Sequence, residues 1–196
     1  MSMKHESHPI SQIDGANQLI KDYHQHHPAD DSWYLCFDDD YHHIRQHMDQ
    51  HHLPIHKITD IGCAWGVQNL FFQDKEYIGI NITPALGSFE GNDFSIPFFR
   101  ENEKNVTYHV TTFPYNITSA MIGDTFISNM SVGYAKLEKD SEQDIQKAFS
   151  HFSYGYVRAP EHILSLILAV FPYSEMVRKG NYDWERPLLF VAKKKP

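Results

Sequence analysis

The sequence has little positive charge and no long apolar run. Its 17 lysines and arginines are outnumbered by 25 acidic residues, which gives a formal net charge of −8. Nucleic-acid binding needs clustered cations for the phosphates, and the single basic run, Lys193–Lys195, lies at the C-terminus. The longest apolar stretch, residues 163–171, falls well short of the roughly 20 residues that span a membrane. We therefore expect neither nucleic acid nor a membrane as a partner.

Signal-peptide and cysteine patterns are also missing. The N-terminus is polar and lacks the apolar core of a signal peptide. The two cysteines, Cys36 and Cys63, form no recognisable disulfide or zinc framework. A length of 196 residues favours one domain with a short extension. We expect a soluble, cytoplasmic protein, with its oligomeric state left open.

Histidine is the residue in excess, with 14 in the chain and most of them in the first 56 residues. The same segment is the acidic part of the chain. His43, His47 and His51 recur every four residues on one face of a predicted helix, one turn after Asp39. This spacing can hold Zn²⁺, Ni²⁺ or Cu²⁺ through imidazole nitrogens. A solvated polar face is the simpler interpretation, so we predict no metal site, and a metal-buffering protein is the least favoured hypothesis.

Apolar periodicity predicts an α/β fold with a helical N-terminal extension. Residues 1–52 are predicted to form a His-rich helical cap, with helices over 16–27 and 38–52, and residues 53–196 an α/β domain. Strands are predicted at 55–61, 77–80, 106–111, 125–128, 154–158, 173–177 and 188–192, and helices at 67–73, 97–103, 141–150 and 160–170. This alternation favours a doubly wound, mostly parallel sheet with an antiparallel C-terminal strand pair.

A turn of small residues follows the first predicted strand. Residues 60–66 read DIGCAWG, in which Gly62 permits a tight turn and Gly66 lets the next helix start close to the strand. The second strand ends at Asn81. Ligands of open parallel sheets bind at the carboxyl ends of the strands, so Asn81 can reach the ribose hydroxyls of a nucleoside held over this turn.

The segments HKITDIGCAWG and YIGINITP resemble motif I and the second-strand motif of the class I, Rossmann-like, S-adenosylmethionine-dependent methyltransferases. That pattern is an acid, then Gly-x-Gly-x-Gly, then a strand that ends in an acid. The Gly-x-Gly-x-x-Gly spacing of dinucleotide dehydrogenases is absent. The resemblance covers about residues 53–196. It implies S-adenosylmethionine as cofactor and methyl transfer as the reaction, and the acidic surface favours a small molecule over nucleic acid as the methyl acceptor.

The resemblance also implies individual site residues at the ends of successive strands. The implied cofactor-binding positions are Asp60, Gly62, Cys63, Ala64 and Gly66 after the first strand, Asn81 after the second, Thr112 and Phe113 after the third, and Asn129 and Met130 after the fourth. Asp60 would orient the glycine loop, the loop amides would approach the cofactor carboxylate, and the third-strand pair would border the adenine. Residues 129 and 130 would lie beneath the sulfonium. The catalytic candidates are Tyr134 and His162.

Three positions depart from the family pattern. Ala64 replaces the middle glycine, which is a mild change. Asn81 and Thr112 stand where acids usually meet the ribose and the adenine amine, so a charge-assisted contact becomes neutral at a cost of about 1 kcal/mol each. The alternative function is therefore a non-catalytic protein that keeps the methyltransferase fold for ligand binding or assembly.

Overall fold

The computed structural model describes residues 31–63, 67–81, 105–129, 141–180 and 186–196, and the structural statements below concern these ranges. The predicted helices over 16–27 and 97–103 lie outside them. The described strands are β1 Lys57–Ile61, β2 Glu76–Asn81, β3 Val106–Val110, β4 Thr125–Asn129, β5 Tyr154–Arg158, β6 Tyr173–Arg178 and β7 Leu188–Ala192. All seven match predicted strands to within two residues at either end.

The strands form one mixed sheet in the order β3-β2-β1-β4-β5-β7-β6. Strands β1 to β5 pair in parallel, whereas β7 runs antiparallel to both β5 and β6. The order reverses between β1 and β4, so the carboxyl ends of these two strands flank the crevice where open α/β sheets bind ligands. The predicted mainly parallel sheet with an antiparallel C-terminal pair is confirmed.

Helices cover both faces of this sheet. The described helices are α1 Asp31–Gln50, α2 Ser141–Phe149 and α3 Glu161–Val170, with 3₁₀ helices at Val67–Phe72 and Ser119–Met121. Helix α1 and the first 3₁₀ helix pack on one face, and α2 and α3 pack on the other. None of the described helices is long and apolar enough to cross a membrane. The doubly wound architecture is therefore confirmed.

Each face has its own apolar core because successive side chains of a strand point to opposite sides. On the α1 side, Ile58, Tyr77, Ile127 and Phe190 are buried against α1. On the α2–α3 side, the core consists of Ile61, Phe126, Val157 and Val191 from the strands and Ile145, Phe149, Ile163 and Ile167 from the helices. Strands buried on both faces read as nearly continuous apolar runs, which explains why the sequence reveals them.

Helix α1 begins seven residues earlier than predicted. Three aspartates, residues 38–40, stand at the predicted start of this helix, but the helix starts at Asp31 and Asp40 lies in its interior, fully buried. No proline or glycine interrupts residues 31–40, so the backbone has no local reason to start the helix later. Tyr41, Ile44 and Met48 of α1 belong to the sheet's core. The boundary at residue 52 stays a prediction, although α1 and the sheet share one core.

Candidate functional site

The turn after β1 is held against the end of β2. Gly62 has a φ of 76°, a left-handed conformation that glycine adopts without steric cost. The amides of Gly62 and Cys63 both donate to the carbonyl oxygen of Ile80, at 2.7 and 3.2 Å. These two amides therefore point at β2, and among the predicted loop donors Ala64 and Gly66 lie outside the described residues. The double hydrogen bond fixes the turn beside Asn81, the next residue of β2.

The ends of β2 and β3 lie side by side. Asn81, the last residue of β2, pairs in register with Val110, the last residue of β3. Thr112 follows two residues later, is exposed, and its carbonyl oxygen accepts the amide of Asn116 at 3.2 Å. Asn81 and Thr112, two of the three positions that depart from the family pattern, are thus brought to one corner of the sheet edge.

Phe113 is half-buried and packs against the core on the α2–α3 side of the sheet. Its ring centroid lies 5.0 Å from that of Phe149 in α2, at 52° between the ring planes. This residue therefore packs against α2, and its contact with an adenine stays a prediction.

Asp60 is fully buried and surrounded by two tyrosines. The hydroxyl of Tyr77 donates to its Oδ2 at 2.5 Å, and the hydroxyl of Tyr41 donates to the same oxygen at 3.2 Å. Burial raises the pKa of Asp60 to about 7, and the two hydroxyl donors reduce the shift by stabilising the anion. In the described contacts, Asp60 thus links the motif I strand to α1 and β2. None of these contacts tests the predicted role of Asp60 in orienting the glycine loop, so that role stays a prediction.

Cys63 is packed against the backbone of β2. Its side chain is fully buried, and burial raises the pKa of its thiol well above the ordinary value. A methyl group on Gly79 would lie 2.7 Å from the Cys63 sulfur and 2.5 Å from a ring carbon of Tyr108. Only glycine allows the turn to approach β2 this closely. The side chain of Cys63 thus packs the turn against β2, and its implied part in cofactor binding stays a prediction.

The carboxyl ends of β4, β5 and β6 converge on a single carboxylate of α1. Asp40 accepts hydrogen bonds from the last residue of each strand: Asn129 at 2.9 Å, Arg158 at 2.7 Å and Arg178 at 2.7 Å. Asp40 and Arg158 are both fully buried. A buried ion pair with additional hydrogen bonds keeps charged groups where an unpaired charge would be very costly. This cluster, Asp40–Asn129–Arg158–Arg178, closes the sheet edge beside the crevice.

Sequence reasoning found Asn129 and missed the other members of that cluster. Arg158 was seen only as the end of a predicted strand, and Asp40 only as a helix-terminal acid. The available signal was an arginine at the end of an otherwise apolar strand, YGYVR, since an arginine there needs a buried partner or an exit to solvent. Nothing local identifies that partner, because Asp40 lies 118 residues away.

Of the two catalytic candidates, only His162 lies within the described residues. His162 is exposed in the first turn of α3, and Tyr134 and Met130 lie outside the described ranges. A groove of about 590 Å³ among the described residues is lined by Glu76, Asn105, Val106 and Thr107. It lies at the amino ends of β2 and β3, the edge opposite Gly62 and Asn81, so it is unrelated to the predicted site.

Comparison with known proteins supports the fold. No protein-family model matches the sequence, and no curated relative matches it. The N-methyltransferase NodS from Bradyrhizobium japonicum, in complex with S-adenosyl-L-homocysteine, superposes with a TM-score of 0.60 at 11% identity, over 88% of this chain and 96% of NodS. A TehB-like SAM-dependent methyltransferase from Corynebacterium glutamicum gives 0.53 at 15% identity, over 91% and 100% of the two chains.

A third solved structure has the same fold within a larger protein. The bifunctional kinase-methyltransferase WbdD superposes with a TM-score of 0.60 at 13% identity, over 90% of this chain and 46% of WbdD. Together with the sheet order and the turn at Gly62, these similarities define the class: the chain has the class I, Rossmann-like methyltransferase fold. At such low identities the likeness establishes the fold alone.

Proposed function

We propose that this protein is an S-adenosylmethionine-dependent methyltransferase that acts on a small molecule. The observation that carries the proposal is the double hydrogen bond from Gly62 and Cys63 to Ile80. It holds a left-handed glycine turn and the polar residue Asn81 together at the edge where this class of sheet binds ligands. The NodS structure, with S-adenosyl-L-homocysteine bound, has the same fold and supports this choice of cofactor.

The residues at this edge fit a nucleoside. Asn81 offers a carbonyl oxygen and an amide, which suit ribose hydroxyls that both donate and accept. Ala64 and Gly66 stay the predicted donors to the cofactor carboxylate, and Thr112 and Phe113 the predicted border of the adenine. Asn129, whose amide nitrogen donates to Asp40 at 2.9 Å, has its orientation fixed by that bond. A side chain whose orientation is fixed by a hydrogen bond is suited to form part of the site beneath the sulfonium.

Methyl transfer requires little from the protein beyond the correct placement of the cofactor and the methyl acceptor. The sulfonium supplies an electrophilic methyl group and a neutral thioether leaving group. With the cofactor bound, the acceptor would take the methyl group from the sulfur, and an acceptor hydroxyl or amine would give up its proton. Alignment of the two reactants supplies most of the rate in such a transfer. Tyr134 and His162 stay the candidates for accepting the proton.

The small-molecule acceptor and the cytoplasmic location are also part of the proposal. The net charge of −8 opposes a phosphate-rich acceptor, because close phosphates need clustered cations. An acceptor that carries few negative charges is therefore favoured over nucleic acid.

Thermal unfolding with S-adenosyl-L-homocysteine tests the proposal. A ligand at a hundred times its dissociation constant adds about 2.7 kcal/mol to the free energy of unfolding, which corresponds to an increase in Tm of about 5–10 °C at this chain length. Transfer of a labelled methyl group to pooled small metabolites then tests catalysis. The absence of a Tm shift at millimolar ligand would contradict the proposal and favour the non-catalytic alternative.

Variants of Asn81 test the predicted contact with the ribose most directly. Asn81→Asp restores a charged acceptor for the ribose hydroxyls, and we expect it to bind S-adenosyl-L-homocysteine about fivefold more tightly. Asn81→Ala should weaken binding. The matched control is Asn105→Asp, which adds the same charge at the opposite edge of the sheet and should leave the affinity unchanged. Equal affinities in all four proteins, measured by calorimetry, would place the ligand elsewhere.

A further inference from the structure

Two imidazoles and one carboxylate meet where the C-terminal half of α1 packs against β6. His47 lies in the last turn of α1 and His51 follows directly after the end of this helix, and their rings stack with centroids 4.2 Å apart. Nε2 of His47 lies 4.0 Å from one carboxylate oxygen of Glu175, and Nε2 of His51 lies 4.0 Å from the other. One ligand atom from each of the three residues can be chosen so that all lie within 4.8 Å of one another.

His47 is buried with one of its nitrogens unsatisfied. The residue is 7% exposed, and its Nδ1 lies 3.0 Å from the hydroxyl oxygen of Tyr156. In the described part of the chain, Nε2 is shielded from solvent and has no hydrogen-bond partner. A buried polar atom without a hydrogen-bond partner destabilises the folded protein by about 1–3 kcal/mol. The presence of such an atom in a folded protein therefore needs a physical reason. Here the atom faces the carboxylate of Glu175.

The surroundings resemble those of a metal ligand. When Nδ1–H of His47 donates to the Tyr156 hydroxyl, the lone pair of Nε2 is presented to Glu175. The hydroxyl of Tyr173 donates to Oε2 of Glu175 at 2.8 Å, which orients the carboxylate in the same way. The aromatic rings of Tyr156 and Phe190 pack against His47, with centroids at 5.6 and 4.8 Å, and hold the imidazole in place.

We propose that His47, His51 and Glu175 form a binding site for a divalent transition-metal ion of the zinc class. A tetrahedral ion with ligand bonds of about 2.0–2.2 Å needs its ligand atoms about 3.3 Å apart. The three ligand atoms lie within 4.8 Å of one another, so reaching that spacing takes side-chain rotations, which would come from the partly exposed His51 and Glu175. Two imidazoles and one carboxylate leave a fourth position for water, and they favour Zn²⁺, Ni²⁺ or Cu²⁺ over Mg²⁺ or Ca²⁺.

The ion would fasten α1 to β6. Asp40 lies seven residues before His47 on the same helix and binds Arg178, three residues after Glu175 on the same strand. The metal site and the Asp40 cluster are therefore two attachment points between one helix and one strand. This inference does not depend on methyl transfer, because its ligands lie away from the Gly62 turn.

Calorimetric titration of the full chain with Zn²⁺ tests the site. His51→Ala and Glu175→Gln change partly exposed side chains, so both variants should fold. The matched control is His52→Asn, which removes an exposed neighbouring histidine at a residue whose φ of 49° suits asparagine. We expect one zinc site that is weakened at least tenfold in the first two variants and unchanged in the control. Zn²⁺ should also raise the Tm of the wild type and control only.

Two results would overturn the proposal. One is identical Zn²⁺ isotherms in all four proteins, which would assign the binding to the other histidines of the N-terminal segment. The other is no zinc binding by the wild type, in which case His47, His51 and Glu175 form only a protein-internal contact.

Discussion

Asp40 and Arg158 form a fully buried ion pair in which Nη2 of the arginine donates to Oδ1 of the aspartate at 2.7 Å. The two residues are 118 positions apart in the chain. Arg178 donates to the same oxygen, and Asn129 to the other. A single carboxylate of α1 therefore organises the ends of three strands next to the crevice of the sheet.

Asp40→Ala should destabilise the protein strongly. Removing one partner of a buried ion pair leaves its counterpart charged and desolvated, at a typical cost of about 3–5 kcal/mol. Urea unfolding measures this loss. The matched control is Asp49→Ala in the same helix, which removes a half-exposed ion pair with Arg45 and should cost less than about 1 kcal/mol. Equal losses in the two variants would contradict the structural importance of the cluster.

The buried carboxyl of Asp60 should make stability fall as pH rises. The pKa of this carboxyl is raised from its ordinary value of 3.8 to about 7 in the folded protein, chiefly by burial. The folded state then binds the proton more tightly than the unfolded state. The resulting stabilisation is fully present below about pH 4 and is lost as pH rises through about 7.

Asp60→Asn removes this titration. The free energy of unfolding of the variant, relative to wild type, should rise between pH 4 and pH 8 by an amount on the order of 4 kcal/mol. Urea unfolding over this pH range measures the difference. Glu142→Gln is the control, since it also removes one carboxylate but from an exposed position in α2. A profile for Asp60→Asn that does not differ from that of Glu142→Gln would contradict the raised pKa of Asp60.

Gly79→Ala should displace the turn after β1. The added methyl group would lie 2.7 Å from the sulfur of Cys63, so either the turn or Tyr108 must move. Overpacking of this kind costs about 1–3 kcal/mol. In a Cys36→Ser background, we expect a thiol reagent to label Cys63 faster in the variant than in the wild type.

Gly155→Ala is the matched control for that displacement. Its methyl group would collide with the ring of Phe126, in the core on the α2–α3 side of the sheet, and not with Cys63. It should lower stability by a similar amount without exposing Cys63 in the folded state. Faster labelling in both variants would show that loss of stability, rather than movement of the turn, controls access to the thiol.

The strands and the motif I turn were predictable because their signals are local. Residues 154–158 were predicted as a strand with the observed bounds, since an apolar run bounded by polar residues is buried on both faces in a parallel sheet. The left-handed turn at Gly62 follows from a glycine placed directly after such a strand. Ordered strands separated by helices then leave few possible topologies, and the resemblance to methyltransferases selected one of them.

The side-chain partners were not predictable. The helix that contains Asp40 was expected to start at residue 38, which would have left Asp40 at a solvated terminus. Its true start at Asp31 carries Asp40 into the core. Likewise, His47 was assigned to a solvated face, whereas the structure buries it beside Tyr156. Burial depends on how a helix is rotated about its axis against the sheet, and that rotation is decided by distant residues.

By itself, the sequence determined the seven strands and the position of the glycine turn, because each depends on residues close together in the chain, and the alternation of strands with helices favoured a mainly parallel sheet. The tertiary structure alone decided that Asp40 meets Arg158, that Asp60 lies between Tyr41 and Tyr77, and that Glu175 faces His47 and His51. These contacts join residues brought together by strand order and helix packing. Their energies depend on the burial of polar side chains beside their partners, and neighbouring residues in the chain do not indicate which polar side chains are buried.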